Sequence, residues 1–109
     1  MSGKTNIRAH IILVTKYRKK ILVDDLLSIF RIITEETTKR KMEVIAINGE
    51  NDHIHIMLKL LPTQTISLIV KLIKQLTTYH IWRKYPTLRE HYWYKNVLWS
   101  NGYFCSTTG

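Results

Sequence analysis

Several residue types that mark particular classes of protein are scarce in this sequence. The 109 residues include one cysteine, Cys105, so neither an intramolecular disulfide nor a cysteine-based zinc knuckle can form, and a reducing compartment is expected. Two prolines and four glycines leave few natural breaks, and we find no linker, repeat or low-complexity stretch. The apolar run Ile11–Val14 is too short for a signal peptide or a membrane span. The sequence therefore predicts a single domain over residues 1–109 with no membrane partner.

Acidic residues are also scarce. Eight Asp and Glu stand against seventeen Lys and Arg, which leaves a net charge of +9 and a pI near 9.9. Hydrophobic residues make up 45% of the chain, so it is typical of a folded domain and not of a disordered basic tail. A small basic domain favours a polyanionic partner, and nucleic acid is the commonest one.

The hydrophobic pattern predicts alternating strands and helices. The predicted elements are a strand His10–Tyr17, a helix capped by Asp24 or Asp25 and ending near Arg40, strands Met42–Ile47 and His53–Leu61, a helix capped by Thr65 from Ile66 to about Arg83, and a strand Val97–Phe104. The apolar stripes of the two helices consist of Leu26, Leu27, Phe30, Ile33 and Thr37, and of Ile66, Ile69, Val70, Ile73 and Leu76. The order β-α-β-β-α-β predicts an α+β, ferredoxin-like (RRM-like) antiparallel sheet with both helices on one face.

Two histidines lie at alternate positions of the third predicted strand. Because strand side chains alternate between faces, His53 and His55 point one way while Ile54 and Ile56 point to the helices. Two imidazoles about 6.5–7 Å apart on the open face can supply half of a metal site. An exposed His-x-His strand can equally bind nothing, but here an aspartate precedes the pair and the rest of the strand is apolar.

Basic residues form two clusters that we interpret as contacts to DNA phosphates. They are Lys16, Arg18 and Lys19, with Lys20 beside them, and Lys71, Lys74, Arg83 and Lys84. Trp82, Trp93, Tyr92 and Tyr94 are available to stack on unpaired bases, although some of them must belong to the core. Each lysine alone could simply be solvated, so the prediction depends on the clusters as a set.

Three blocks of sequence together resemble a known family. They are His10–Leu22 with its Lys-Tyr-Arg-Lys-Lys turn, Asp52–Leu58, and Leu98–Gly109, whose Ser-Thr-Thr-Gly end predicts a turn or a helix start. In this order and at these intervals the blocks resemble the single-tyrosine HUH transposases of the smallest bacterial and archaeal insertion sequences, and the likeness covers nearly the whole chain.

The resemblance implies both a site and an activity. His53 and His55 would be ligands of a divalent metal, Mg²⁺ or Mn²⁺. The protein would be a homodimer in the prokaryotic cytoplasm, associated with the nucleoid, and would bind single-stranded DNA hairpins at transposon ends. It would cleave and rejoin DNA strands through a 5′-phosphotyrosine intermediate.

One departure from the family affects the expected activity. The family's nucleophilic tyrosine and a metal-binding glutamine lie on a helix beyond the Ser-Thr-x-Gly segment, whereas this sequence ends at Gly109. We therefore expect these 109 residues alone to lack a catalytic residue. The alternatives are a catalytically inactive module that binds hairpins or regulates, and, less well supported, an RNA-binding domain of the same fold. RNA-recognition sheets usually display aromatic residues where this strand displays histidines.

Overall fold

The computed structural model describes residues 7–22, 26–92, 95 and 97–108. Its regular elements are β1 (Ile7–Val14), α1 (Leu26–Lys39), β2 (Glu43–Gly49), β3 (His53–Leu60), α2 (Ile66–Lys84) and β4 (Phe104–Thr108), with short 3₁₀ segments at Lys16–Arg18 and Pro86–Tyr92. Within these residues the strands form one antiparallel sheet in the order β2-β3-β1-β4. This order and the two helices confirm the predicted ferredoxin-like fold.

The core lies between the helices and one face of the sheet. Along β3, Ile54, Ile56, Leu58 and Leu60 are buried while the residues between them are half-exposed. Residues of β1 alternate in the same way, with Ala9, Ile11 and Leu13 in the core. The helices add Ile29 and Ile33 from α1 and Ile69, Val70, Ile73 and Ile81 from α2. Both helices therefore cover the same face, as predicted.

Some local predictions were less accurate. β1 begins and ends three residues earlier than predicted, because the chain turns at Lys16–Arg18. Leu27 belongs to the predicted stripe of α1 but is 78% exposed, because at about 100° per residue it lies away from the face that buries Ile29, Ile33 and Thr37. Thr65 occupies the N-cap of α2 without a side-chain capping bond. The predicted caps Asp24 and Asp25 lie outside the described residues.

The prediction for the last strand was wrong. The strand is Phe104–Thr108, so Ser106–Thr108 extend the sheet instead of forming a turn. The preceding residues are apolar for another reason, because Leu98 and Trp99 are buried in the core and the Trp99 Nε1–H donates to Thr77 Oγ1 at 2.9 Å. Gly102, with φ of +78°, then turns the chain before β4 pairs with β1.

The β2–β3 hairpin has one position where only glycine fits. A Cβ atom on Gly49 would lie 2.6 Å from the carbonyl oxygen of His53 and 2.8 Å from the Ile54 side chain. The hairpin therefore closes tightly at the start of β3, where the histidine pair lies. No helix in the described part of the chain is long and apolar enough to cross a membrane.

Candidate functional site

The histidine pair lies on the face of the sheet that the helices do not cover. His53 and His55 are half-exposed, and their ring centroids are 5.1 Å apart in an edge-on arrangement. In the register between β1 and β3, His53 is opposite Val14 and His55 is opposite Ile12. The alternation of β3 thus brings both imidazoles together, as the sequence predicted.

Asp52 fixes the orientation of the first histidine. The Nδ1 atom of His53 lies 2.8 Å from Asp52 Oδ1, and an ionised carboxylate can only accept, so Nδ1 carries the proton in this contact. In the neutral ring this leaves Nε2 with a free lone pair, 3.8 Å from the carboxylate of Glu50. The hydrogen bond from His53, aided by Arg18 at 3.4 Å from the other carboxylate oxygen, lowers the pKa of Asp52.

A third histidine, absent from the sequence-based site, contacts the second. His10 on β1 places its Nε2 atom 3.2 Å from Nδ1 of His55, with the two rings stacked at a centroid distance of 5.4 Å. The sequence carried only a weak signal for this contact. His10 has the same strand parity as Ile12 and so lies on the open face, but its approach to His55 depends on the register of two strands far apart in sequence.

The histidines carry donor atoms for only part of a metal coordination shell. His10 and His55 line a shallow depression of about 290 Å³ with Ala46, Asn48 and Met57. Within residues 7–22, 26–92, 95 and 97–108, no three His, Cys, Asp or Glu side chains converge as a complete metal site. The residues present therefore fit a divalent ion as two nitrogen donors, with the remaining positions open to water or phosphate oxygens.

The first basic cluster lies at the same end of the sheet as the histidines. The backbone N–H of Thr15 donates to Asp52 O at 2.9 Å, which joins the turn to the start of β3. Tyr17 and Arg18 then adopt left-handed backbone conformations, with φ of 60° and 51°. Lys16 and Lys19 are half-buried, while Arg18 is exposed and shares its charge with Asp52.

The second basic cluster lies on α2, on the other side of the sheet. Lys71, Arg83 and Lys84 are exposed there. Arg83 lies over the ring of Tyr79 and donates to its hydroxyl at 2.6 Å. Lys74 instead donates to the carbonyls of Ser100 and Gly102, and burial lowers its pKa. The structure therefore separates the predicted DNA-binding residues into two surfaces and gives Lys74 a structural contact.

The aromatic residues divide between core and surface. Trp82 and Tyr92 are buried, so they pack in the core instead of stacking on bases. The Tyr92 hydroxyl donates to Lys16 O at 3.0 Å, and burial raises the pKa of this phenol to about 12. Trp93 and Tyr94 lie outside the described residues. The exposed aromatic residues include Tyr17, Tyr79 and Phe104.

Solved structures of transposases share this architecture over the whole chain. A protein of Deinococcus radiodurans R1 described as a transposase superimposes with a TM-score of 0.85 and 26% identity, covering all of this chain and 85% of the other. A REP-associated tyrosine transposase, solved bound to a REP hairpin, superimposes with a TM-score of 0.66, covering all of this chain and 59% of the other. Its identity is 14%, so this second likeness concerns the fold alone.

Sequence comparison identifies the family. The model of the IS200-like transposases matches residues 3–109. The ISDra2 transposase TnpA of Deinococcus radiodurans is 32% identical over 95 residues, which cover 86% of this chain and 67% of that protein. The chain belongs to the IS200-like transposase family, which confirms the resemblance seen in its three sequence blocks.

Proposed function

We propose that this transposase binds single-stranded DNA hairpins and holds a divalent metal at His53 and His55 during strand cleavage. The observation that carries the proposal is the pair of imidazoles on the open face, beside the basic turn at Lys16–Lys19. A structural neighbour of the same fold is bound to a REP hairpin, which supports the choice of DNA. The domain proposed to perform these functions comprises residues 1–109.

Mg²⁺ or Mn²⁺ at this site would polarise the scissile phosphate and neutralise the charge that develops on it. The contribution of this chain is to present two ligand nitrogens from a rigid central strand. Asp52 accepts from Nδ1–H of His53 and so leaves the lone pair on Nε2, and the hydrogen bond from His53, with the nearby charge of Arg18, lowers the pKa of the Asp52 carboxyl. The turn that carries Lys16 and Lys19 is joined to the start of β3 by the bond from Thr15 N–H to Asp52 O, which supports a role for these lysines in binding the flanking phosphates.

The proposed cleavage uses a tyrosine hydroxyl as nucleophile. A bond forms between the tyrosine oxygen and phosphorus, the bond to the 3′-oxygen breaks, and a 5′-phosphotyrosine and a free 3′-hydroxyl result. By the family resemblance, we expect that tyrosine beyond Gly109. Of the tyrosines in this sequence, Tyr92 is a poor candidate because it is buried and its pKa is raised to about 12.

We also propose that the protein is a homodimer joined through β4. All five residues of this strand are exposed, including Phe104 at 67%. Within the described residues β4 pairs with β1 alone, so its outer edge is free to pair with another strand. Small sheets usually cover such an edge, and a second copy would do so symmetrically. Light scattering at tens of micromolar should give a dimer mass, and a monomer mass would contradict this.

Hairpin binding is tested by mobility shifts across a range of salt concentrations. We expect an imperfect single-stranded hairpin to bind more tightly than duplex DNA of equal length. Lys16→Ala should weaken binding and lower the salt slope by about 0.7–0.9 if it removes one phosphate contact. Lys71→Ala tests in the same way whether the α2 surface contacts DNA phosphates. Lys39→Ala is the matched control, because its exposed charge lies at the end of α1 and is paired with Glu36. Equal affinity for hairpin and duplex would contradict the proposal.

Cleavage is tested by incubating the protein with labelled hairpin DNA and Mn²⁺, then looking for a covalent adduct on a denaturing gel. Residues 1–109 should give none, and adding the family's C-terminal helix should restore one. An adduct lost on mutation of one of the six tyrosines would show that the nucleophile lies within this sequence. Hairpin binding without an adduct in the extended protein would favour the non-catalytic alternative.

A further inference from the structure

His10 is the polar group that faces the histidine pair from β1. Its Nε2 atom lies 3.2 Å from Nδ1 of His55, on a neighbouring and directly paired strand. The contact is partly buried on the open face, and the two rings stack with an angle of 28° between their planes. Both the position and the plane of the His55 ring are therefore restrained by β1.

The contact decides which nitrogen of His55 can bind a metal. Since Nδ1 faces His10, only Nε2 remains available as a ligand atom. A neutral imidazole has one protonated nitrogen and one with a lone pair. If His55 donates from Nδ1 to His10, then Nε2 carries the lone pair. If His10 donates instead, Nε2 of a neutral His55 carries the proton and cannot coordinate.

The ring of His53, next to that of His55, also has a hydrogen-bond partner at its Nδ1 atom. Its Nδ1 faces an obligate acceptor, Asp52, at 2.8 Å, which leaves Nε2 as its ligand atom. The two rings of the pair thus have different partners on the same atom, a carboxylate for His53 and an imidazole for His55. Ligand histidines usually donate their second ring N–H to a carboxylate, a backbone carbonyl or water, which fixes the tautomer and the ring orientation, and an imidazole lone pair can accept the same hydrogen bond.

We infer that His10 is a positioning residue that accepts the Nδ1 proton of His55 and keeps Nε2 of that ring directed to the metal. The inference rests on the proposed function, because it assumes that the histidine pair is a metal site. His10 itself contributes its lone pair to His55 and is not a ligand. Its effect on metal affinity is therefore indirect, through the tautomer and orientation of one ring.

The tautomer can be read without any metal. Long-range ¹H–¹⁵N correlation spectra of the metal-free protein, at a pH well above the ordinary histidine pKa of about 6.5, distinguish the two protonated forms of each ring. We expect His55 to carry its proton on Nδ1 in the wild-type protein. His10→Phe keeps the ring volume but removes the acceptor, so His55 should shift toward the Nε2–H form.

Titration of Mn²⁺ into the protein with hairpin DNA present gives the second measurement. His10→Phe should lower the Mn²⁺ affinity about 10- to 100-fold, the usual effect of losing such a partner. His10→Gln, whose amide oxygen can reach the place of the imidazole Nε2, should retain most of the affinity. Met57→Leu is the matched control, because Met57 lines the same depression and pairs with His10 across the strands, and its thioether replaced by an alkyl group leaves the His10 acceptor in place.

The outcomes separate this inference from the proposed function. Wild-type His55 in the Nε2–H form, or a His10→Phe protein with unchanged tautomer and Mn²⁺ affinity, would overturn the role of His10. If His10→Phe does not fold, the role of His10 is still tested by the tautomer of His55 in the wild-type protein and by the Mn²⁺ affinity of the His10→Gln variant. Failure of the wild-type protein to bind Mn²⁺, with the Nδ1–H form of His55 intact, would overturn the metal site but support the contact between the two rings.

Discussion

The two faces of β3 differ in what their residues do, although they alternate along one strand. Ile54, Ile56 and Leu58 are fully buried against the helices, whereas His53 and His55 remain half-exposed on the opposite face. The buried residues hold the strand in register, and that register places the imidazoles side by side. A slip of one residue would move the histidines into the core. One strand therefore serves both stability and chemistry because its side chains alternate.

The largest difference in stability is expected between a substitution on the buried face of β3 and one on its open face. Ile56→Ala should lower the free energy of unfolding by about 2–5 kcal/mol, since it removes buried apolar atoms and leaves a cavity. His55→Ala should change it by about 1 kcal/mol or less, because the ring is half-exposed and makes one hydrogen bond. Chemical denaturation measures both. Similar losses for the two variants would contradict the division of the strand into two faces.

A smaller loss of stability is expected in the irregular segment before β4, which the sequence pattern wrongly predicted to be a strand. Trp99→Phe should cost about 1 kcal/mol, since it removes the hydrogen bond from Nε1–H to Thr77 Oγ1 within the helix-covered core. Tyr103→Phe is the control, because that aromatic ring is more exposed and lies past the buried residues. Equal stability of the Trp99→Phe and wild-type proteins in denaturation would show that Trp99 does not anchor this segment.

A further effect concerns Tyr92 and appears at alkaline pH. Burial raises the pKa of this phenol in the folded protein to about 12, above its ordinary value near 10. The folded state thus holds the proton more tightly than the unfolded state. Its contribution to stability is complete below pH about 10 and is lost as pH rises toward 12.

Unfolding measured against pH, together with the absorbance of ionised tyrosine, checks this expectation. The wild-type protein should show a late-titrating phenol that Tyr92→Phe removes, together with part of the alkaline decline in stability. The variant also loses the bond to Lys16 O, which should cost about 1 kcal/mol at neutral pH. If all phenols titrated together near pH 10, the buried position of Tyr92 would be contradicted.

The sequence predicted the helix-covered face better than the rest of the molecule. Periodicity predicted the buried residues of β3 and, in α2, Ile69, Val70 and Ile73, because each element's pattern is local, but it missed the buried residues in the second half of α2. It failed for Val97–Phe104, because Leu98 and Trp99 are buried in an irregular segment and the exposed residues Phe104–Thr108 form the strand. Both kinds of segment are rich in residues with strand propensity, and only the pairing with β1 separates them.

Only the part of the site that depends on local spacing in the sequence could be predicted. The His-x-His alternation was enough to place His53 and His55 on the open face. The contact of His10 with His55, and that of Arg18 with Asp52, join residues distant in sequence, so they require the strand register and the left-handed turn. Lys74 illustrates the converse, because a lysine that the charge pattern assigns to DNA donates to two backbone carbonyls.

The central claim, that the open face binds metal while the helix face holds the fold, is tested most directly by paramagnetic NMR. Mn²⁺ is titrated into the ¹⁵N-labelled protein with hairpin DNA present, and line broadening is followed residue by residue. We predict saturable broadening centred on His53 and His55, lost in His53→Ala and weak without DNA. Broadening centred on α2, or scattered over the surface without saturation, would contradict the account.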